Sequence, residues 1–376
     1  MSRGFPVEEY RGRLARAQAR MGEEGLGALL LTTEPELRYF TGFLTRFWES
    51  PSRPWFLILP VSGDPVAVIP SIGAALMWAT WIGDIRTWAA PDPEDDGVSL
   101  LAEALQEMGG PVGVPSGAES HLRMPLADFG RVKRASGLTF TDDRGIVAGC
   151  RAIKSGAEIA KIAESCAIAG RAFARVGEIA APGVPLSRVF RDFQRLLLEE
   201  GADWVPYLAG GAGAQGYADV ISPATDTPLA MGDVLMLDTG AVRDGYFCDY
   251  DRNFAIGRAS AAQRHAHARL IEATQAGLEA ARPGARASDV WRVMADIVGG
   301  GEGAGRLGHG LGMQLTEGLS LTAKDHTELR PGMVITLEPG IDIAPGRIMV
   351  HEENIVITEG APRLLSSMAG PDLPVI

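Results

Sequence analysis

The sequence predicts a two-domain α/β protein, and three observations lead to this prediction. The chain has 376 residues, 46% of them hydrophobic and 22% charged, which is long for one domain and ordinary for a globular protein with a substantial core. Short apolar runs typical of buried strands alternate with helical patterns over the first part of the chain. A longer amphipathic helical pattern then begins near residue 150. We therefore predict a smaller domain over 1–149 and a larger domain over 150–376.

The elements of the smaller domain follow in chain order. Residues 7–24 carry apolar side chains at helical spacing, and GLGALLLTT (25–33) then forms a short apolar run that predicts a buried strand. Three further runs, WFLILP (55–60), PVAVIP (65–70) and PVGVPS (111–116), also predict strands. Helical stretches lie between them, as expected for a small sheet layered with helices.

The larger domain opens with a predicted amphipathic helix. Ser155 followed by Glu158 forms the pattern of a capping box at its start. Further helices are predicted at 185–200, 261–281 and 287–299, and strands at 232–240, 245–257, 333–339 and 348–358.

Charge and cysteine content exclude some classes of function. The formal net charge is −12 and no cluster of five Lys or Arg occurs, which disfavours nucleic acid or anionic membranes as partners. Neither a signal peptide nor a transmembrane run is visible, so we expect a soluble, cytoplasmic protein. Three cysteines argue against a disulfide framework. Cys248 adjoins Asp249, but strand alternation would turn its thiol into the opposite packing layer.

Five side chains with metal-binding potential stand in the larger domain. They are Asp238 in LDTG, Asp249 in FCDYDR, His309 in GHGLG, Glu338 in TLEPG and Glu352 in HEEN. One imidazole among four carboxylates favours Mn, Fe, Co or Zn. The formal charge of four carboxylates matches two divalent ions. Two such ions about 3.5 Å apart can share a hydroxide and polarise a carbonyl, so hydrolysis of an amide is the reaction that this set predicts.

These five segments resemble those of the creatinase, prolidase and methionine aminopeptidase family, whose fold is called pita-bread, and most closely its Xaa-Pro aminopeptidases and dipeptidases. ELRYFTGFLTRF (36–47) and the R-x-x-K-S pattern of 151–155 also resemble segments of that family. The resemblance implies a C-terminal pita-bread metallohydrolase domain preceded by a creatinase-type α/β domain. It also implies a homodimer in which the smaller domain contributes to the substrate pocket.

The resemblance further implies a role for each ligand. Asp249 and Glu352 would bridge two ions, Asp238 would bind one of them, and His309 and Glu338 would bind the other. Glu338 would also accept a proton from the attacking water. Glu353 competes with Glu352 for the last position, and the family pattern favours Glu352. Two divalent ions per chain are expected, with manganese preferred and cobalt, iron or zinc as alternatives.

The sequence departs from the Xaa-Pro-cleaving members at three positions. Ile221 and Thr316 stand where those enzymes carry histidines, and Val350 stands where they often carry arginine. Tyr217, His351 and Thr316 are the candidate catalytic replacements, because a tyrosine can donate to an oxyanion much as a histidine does. Alternation would instead turn His351 to the opposite face. The glycine-rich stretch 210–216 that leads to Tyr217 would alternatively form a simple flexible turn.

The segment RFWESPSRPWF (46–56) concentrates arginines and aromatic side chains. Arg46, Trp48, Arg53 and Trp55 are candidates for binding a substrate carboxylate or zwitterion. The alternative is an aromatic loop packed at a domain interface.

The leading hypothesis for function is a dinuclear-metal-dependent hydrolase of a small amide, of the Xaa-Pro aminopeptidase or dipeptidase type, acting on a short peptide or another small molecule. The alternative keeps the fold and changes the substrate to another small C–N or C–S compound, as in an ectoine-type ring hydrolase, a creatinase-like amidinohydrolase or a dimethylsulfoniopropionate-type lyase. A binding module without catalysis is least favoured, because binding alone does not require four carboxylates to converge.

Overall fold

The structure is a computed structural model that describes residues 3–49, 54–300 and 304–376. The chain forms two compact units, Met1–Arg151 and Ala152–Ile376. Within the described residues, no helix is both long and apolar enough to cross a membrane.

The first unit is a mixed sheet with helices packed on it. Its strands are β1 Ala28–Leu31, β2 Phe56–Pro60, β3 Val66–Pro70, β4 Asp84–Trp88, β5 Val112–Val114 and β6 Phe140–Asp142. Its helices are α1 Val7–Glu24, α2 Glu34–Thr41, α3 Ala74–Trp78, α4 Val98–Met108, α5 Leu126–Ser136 and α6 Ile146–Ala152. The strand order is β4-β3-β2-β1-β5-β6. Strands β1 and β5 pair in parallel, whereas β1 pairs with β2 and β2 with β3 in antiparallel fashion.

The helix and the four strands expected from the sequence in this unit are confirmed as α1, β1, β2, β3 and β5. Helix α1 ends where Gly25 takes a left-handed conformation with φ 68°, a common way to close a helix. The sequence did not reveal β4 and β6. They are the two edge strands, and neither contains a fully buried position, so they lack the apolar run that marks a central strand.

The second unit holds two separate three-stranded sheets and two hairpins. Its strands are β7 Leu208–Gly213, β8 Val234–Thr239, β9 Val242–Arg243, β10 Tyr246–Phe247, β11 Tyr250–Ala255, β12 Val334–Leu337, β13 Gly340–Ala344, β14 Arg347–Val350, β15 Glu353–Val356 and β16 Arg363–Leu364. Its helices are α7 Gly156–Phe173, α8 Leu186–Glu199, α9 Ala261–Ala280 and α10 Ala287–Val298. One antiparallel sheet has the order β11-β8-β7 and the other the order β12-β15-β16.

Helix α7 begins with the capping box expected from the sequence. The Glu158 N–H donates to the Ser155 hydroxyl at 3.3 Å, and the Ser155 N–H donates to the Glu158 carboxylate at 2.9 Å. Each side chain thus satisfies a backbone donor that the first helical turn leaves without a partner. The three later helices are confirmed as α8, α9 and α10.

Two predicted strands are interrupted in the structure. The strand expected over 245–257 is divided into β10 and β11, with Cys248 and Asp249 between them. The strand expected over 348–358 is divided into β14 and β15, with His351 and Glu352 between them. Arguments from strand alternation therefore do not apply at these four residues, because they lie outside the ladders that impose alternation.

The glycine-rich stretch 210–216 is not a flexible turn over most of its length. Strand β7 pairs with β8 from Leu208↔Thr239 to Gly213↔Val234. Gly210 has φ 145°, and a Cβ there would lie 2.2 Å from the carbonyl oxygen of Met236. The glycine is therefore required by close backbone contact between the two strands.

Candidate metal centre

Of the two aspartates in the predicted ligand set, one lies in a strand and the other directly precedes the neighbouring strand of the same sheet. Asp238 lies in β8 and pairs in register with Asp251 of β11. Asp249 precedes the first residue of β11 and is buried, with 4% of its surface exposed. Because β8 and β11 run antiparallel, the two carboxylates meet at the same end of the sheet.

The histidine and the first glutamate are joined through Thr336 of the second sheet. The Thr336 N–H donates to the His309 carbonyl at 2.8 Å, and the His309 N–H donates to the Thr336 hydroxyl at 2.9 Å. The same hydroxyl donates to Oε1 of Glu338. Thr336 thus fixes both residues at the end of β12.

The imidazole of His309 is oriented by its own loop. Its Nδ1 lies 3.0 Å from the Gly310 carbonyl oxygen, which requires a proton on Nδ1. Nε2 then faces the acidic cluster, 3.1 Å from Oδ2 of Asp249 and 2.9 Å from Oε1 of Glu338. A histidine held through one nitrogen while the other faces carboxylates has the arrangement typical of a metal ligand.

The five predicted ligands converge as two overlapping groups. Asp249, His309 and Glu338 place ligand atoms within 4.8 Å of one another, and so do Asp238, Asp249 and Glu352. Asp249 belongs to both groups, as a bridging carboxylate would. Glu353 points elsewhere and forms an ion pair with Arg252 at 3.0 Å.

Burial and mutual repulsion shift the pKa values of these groups. Burial, together with neighbouring carboxylates, raises the pKa of Asp238 and of Glu352 well above the ordinary range. Burial also raises the pKa of Asp249, to about 6, against the opposing effect of His309. Burial would lower the pKa of His309, but Glu338 and Asp249 outweigh it and raise that pKa to about 10.

The donor set fits divalent cations. Oδ1 of Asp238 is buried and has no hydrogen-bond partner in the described part of the chain, and a buried acceptor without a donor is costly. Converging buried carboxylates repel one another unless protons or cations compensate their charge. Four carboxylates and one imidazole could hold two ions of the Mn, Fe, Co or Zn type.

Two residues that the sequence did not single out also stand at this centre. The hydroxyl of Tyr207 forms a hydrogen bond with Asp238, which lowers the pKa of that carboxyl against the dominant effect of burial. Arg306 is exposed, and its positive charge lowers the pKa of both Asp249 and Glu338. Tyr207 is recognisable in the sequence as the aromatic residue directly before the glycine-rich strand. Arg306 is recognisable as the charged residue three positions before His309.

Tyr217 and His351 are both buried and form contacts with residues outside the five predicted ligands. The Tyr217 hydroxyl accepts from the Val350 N–H at 2.7 Å and donates to Oδ1 of Asn253 at 3.2 Å. His351 is fully buried, with Nε2 3.2 Å from Oε1 of Glu353 and Nδ1 3.5 Å from Oδ1 of Asp251. These contacts give both polar side chains partners within the protein, and the catalytic roles expected for them stay predictions.

The loop after His309 carries Thr316 and is anchored by a buried ion pair. Nζ of Lys154 lies 2.9 Å from Oε1 of Glu317, and the Glu317 N–H donates to the Gly310 carbonyl at 2.8 Å. Thr316 is half-buried in this loop, and its catalytic role stays a prediction. Ile221 is 83% exposed and carries no group able to replace a catalytic histidine.

The predicted substrate-binding residues belong to the first unit. Trp55 has 1% of its surface exposed, packs against the rings of Phe43, Phe47 and Trp48, and lies under Gly73. The prediction that Trp55 binds substrate is therefore corrected, because its ring is enclosed by its own unit.

The other members of that set have different surroundings. Trp48 is partly buried, with the Arg123 guanidinium 5.1 Å from the centre of its ring, and Arg46 is exposed. Arg53 lies outside the described residues. Substrate binding by Arg46, Trp48 and Arg53 stays a prediction.

Cys248 does not act as a nucleophile in this arrangement. Its side chain is fully buried, its Sγ lies 3.7 Å from the Thr239 carbonyl oxygen, and burial raises the pKa of the thiol. A thiol that stays protonated is a poor nucleophile. All three cysteines are free and buried.

A mixed α/β unit followed by a unit with a buried carboxylate and imidazole centre defines the class of two-domain metallohydrolases. Residues 160–359 match the metallopeptidase family M24, and residues 13–153 match the creatinase/prolidase N-terminal domain. The chain belongs to the metallopeptidase family M24, and the fold and the resemblance predicted from the sequence are both confirmed.

Three known proteins illustrate the similarity. The chain is 30% identical over 340 residues to a probable dipeptidase, PepE, of Mycobacterium tuberculosis (strain ATCC 25618 / H37Rv). The aligned region covers 88% of each chain. The chain is 25% identical over 362 residues to an ectoine hydrolase of Halomonas elongata, again covering 88% of each. The crystal structure of dipeptidase PepE from Mycobacterium ulcerans has a TM-score of 0.84 and 28% identity, and covers 99% of each chain.

Proposed function

We propose that this protein hydrolyses the amide bond of dipeptides and other short peptides, Xaa-Pro substrates among them, with two divalent metal ions, preferably manganese. The observation that carries the proposal is the sharing of Asp249 between two groups of ligand atoms, one completed by His309 and Glu338 and the other by Asp238 and Glu352. The similarity to dipeptidases supports the same choice of substrate class.

Two divalent ions held by these five residues would supply Lewis acidity and an activated water for attack on an amide carbonyl. Asp249 and Glu352 would bridge the ions, as the family resemblance implies. The protein's own part is to present ionised carboxylates in a fixed arrangement and to exclude most of the surrounding water, which strengthens electrostatic interactions.

Glu338 is the proton acceptor in this proposal. In the protein without ions, burial would raise its pKa, but the positive charge and hydrogen bond of His309 outweigh burial and lower the pKa below its ordinary value. With ions bound, their positive charge would favour the ionised carboxylate in place of protonated His309. The Thr336 hydroxyl donates to Oε1, so one oxygen is fixed while the carboxylate stays ionised. An ionised, oriented carboxylate can take the proton of the attacking water and pass it to the leaving amine.

Tyr207 and Arg306 are the polar groups that we assign to the substrate. The phenol of Tyr207 donates to Asp238 in the protein without ions. Once ions occupy that carboxylate, the same O–H could rotate and donate to the oxyanion, in place of the histidines that are replaced at Ile221 and Thr316. The exposed guanidinium of Arg306 can pair with the carboxylate at the end of a dipeptide. We include the homodimer and the cytoplasmic location in the proposal, the latter supported by the free cysteines.

The test is turnover of a panel of Xaa-Pro and non-proline dipeptides by protein loaded in turn with Mn, Co, Fe and Zn, with bound metal counted in the same samples. Glu338→Gln should bind metal and lose most of the activity, whereas the exposed Glu359→Gln should match the original protein. Metal-dependent cleavage that persists undiminished in Glu338→Gln would contradict the assignment of the proton acceptor.

A second candidate is hydrolysis of a small non-peptide C–N bond. It is favoured by the similarity to an ectoine hydrolase and by the residues at Ile221, Thr316 and Val350, where Xaa-Pro-cleaving enzymes carry histidines and arginine. Two bound ions without cleavage of any peptide would support this candidate and direct the search to cyclic amidines and betaines.

A further inference from the structure

The two carboxylates assigned as bridges lie immediately outside their strands. Asp249 precedes β11 and Glu352 precedes β15, so neither has a partner from a regular backbone ladder. The Asp249 N–H instead donates to Oδ1 of Asn354 at 3.0 Å, and Nδ2 of Asn354 donates to the Asp249 carbonyl. One side-chain amide thus takes the place of a peptide group of a neighbouring strand.

Glu352 is held in the reciprocal way by side chains of β11. Its N–H donates to Oδ1 of Asp251 at 2.8 Å, and Nη1 of Arg252 donates to its carbonyl at 3.1 Å. Strands β11 and β15 belong to different sheets. The backbone of each residue assigned as a bridge is therefore held by side chains from the strand that follows the other one.

Asn354 is itself firmly placed. It is fully buried, its N–H donates to the Ser366 hydroxyl at 2.9 Å, and the Cys166 thiol donates to its Oδ1 at 3.2 Å. In β15 it pairs in register with Thr336 of β12, whose hydroxyl contacts Glu338. Asn354 consequently contacts the Asp249 backbone through its amide and lies beside Thr336 through the pairing of β15 with β12.

From this geometry we infer that Asn354 is a positioning residue that sets the separation between Asp249 and the glutamates Glu338 and Glu352, and through it the affinity of both metal ions. The inference rests on the proposed function, because it concerns the same two ions. The position needs one donor and one acceptor on a short side chain. Leucine has neither group at nearly the same size, and serine offers a smaller polar group.

The experiment compares Mn²⁺ binding to chelator-treated full-length protein by calorimetry, together with the magnetic coupling between the bound ions by electron paramagnetic resonance. Asn354→Leu should bind both ions roughly 10–100-fold more weakly, as is usual when a group that orients metal ligands is lost. The coupling should also change, because it depends on the distance between the ions.

Gln263→Met is the matched control. Gln263 is also buried, and its amide donates to the carbonyls of Ala214 at 2.9 Å and Gly232 at 2.8 Å, away from the ligands. Its loss should lower the melting temperature and leave ion affinity and coupling unchanged. A purely structural role for Asn354 would make the two variants behave alike.

A folded Asn354→Leu protein with unchanged affinity and coupling would overturn the inference while leaving the proposed function intact. If Asn354→Leu fails to fold, Asn354→Ser decides instead, and unchanged ion binding there would overturn the inference equally. If the original protein binds fewer than two ions, the proposed function fails first, and the inference fails with it.

Discussion

Loading the protein with divalent ions at pH 7 should release at least one proton per chain, because metal ligands must be deprotonated to bind. In the protein without added cations, His309, with a pKa of about 10, carries a second ring proton, and the raised pKa values of Asp238 and Glu352 favour further proton release when these carboxylates bind ions. Asp249, with a pKa of about 6, and Glu338, whose pKa is lowered, are already mostly ionised.

The sign of the pH dependence follows from this release. Protons leave when ions bind, so higher pH favours binding, and the combined affinity for two ions should rise about 10-fold per pH unit near pH 7 for each proton released. Below pH 6, protonation of Asp249 adds a further proton and steepens the dependence. Above about pH 10, deprotonation of His309 removes one and makes the dependence shallower.

The assay is calorimetric titration with Mn²⁺ in buffers of different ionisation enthalpy at one pH, since the slope of apparent enthalpy against buffer enthalpy gives the number of protons released. Repeating it at pH 6, 7 and 8 checks the sign independently. Release of fewer than one proton per chain at pH 7 would refute the reasoning, because the carboxylates would then be ionised and the histidine neutral before the ions arrive.

Three further changes have defined outcomes. Asp249→Asn should lower the bound metal from two ions to about none per chain by elemental analysis, since both ligand groups share this carboxylate; two retained ions would exclude the bridge. Trp55→Ala should lower the free energy of unfolding, measured in urea, by about 3–5 kcal/mol, as for other buried aromatic side chains. Trp78 is 59% exposed, so Trp78→Ala should change this free energy by less than about 0.5 kcal/mol. Equal losses in the two variants would contradict the burial of Trp55. Arg306→Gln should raise KM for dipeptides roughly 10-fold, the loss of about 1.4 kcal/mol of binding, with little change for substrates whose terminal carboxylate is amidated; an equal rise for both would remove its assigned role.

The five ligands could be predicted from the sequence because each stands in a local pattern, bounded by glycines or by an apolar run, that needs no knowledge of distant contacts. The breaks at Asp249 and Glu352 could not be predicted in this way. They depend on hydrogen bonds from Asn354 and Asp251, and the partners lie 105 and 101 residues apart in the chain. The local periodicity of a segment indicates whether it favours a helix or a strand, and it does not indicate which distant residues the segment contacts.

The roles of residues that are not metal ligands were harder to predict from the sequence. Tyr207 precedes a strand so rich in glycine that it resembles a turn, and only the close approach of β7 to β8 shows why glycine is needed there. Trp55 lies in a segment whose arginines and aromatic rings suggested a binding surface. Burial of its ring is a tertiary property, which the composition of a short segment cannot reveal.

The division of the ligands between two sheets has a consequence for the folding kinetics. Neither β11-β8-β7 nor β12-β15-β16 contains a complete ligand group, so an ion gains its full set of contacts only after the two sheets have docked. Contacts so distant in sequence tend to form late on the folding pathway. Divalent ions should therefore leave the refolding rate nearly unchanged and act mainly by slowing unfolding, since interactions absent from the transition state protect the native state alone.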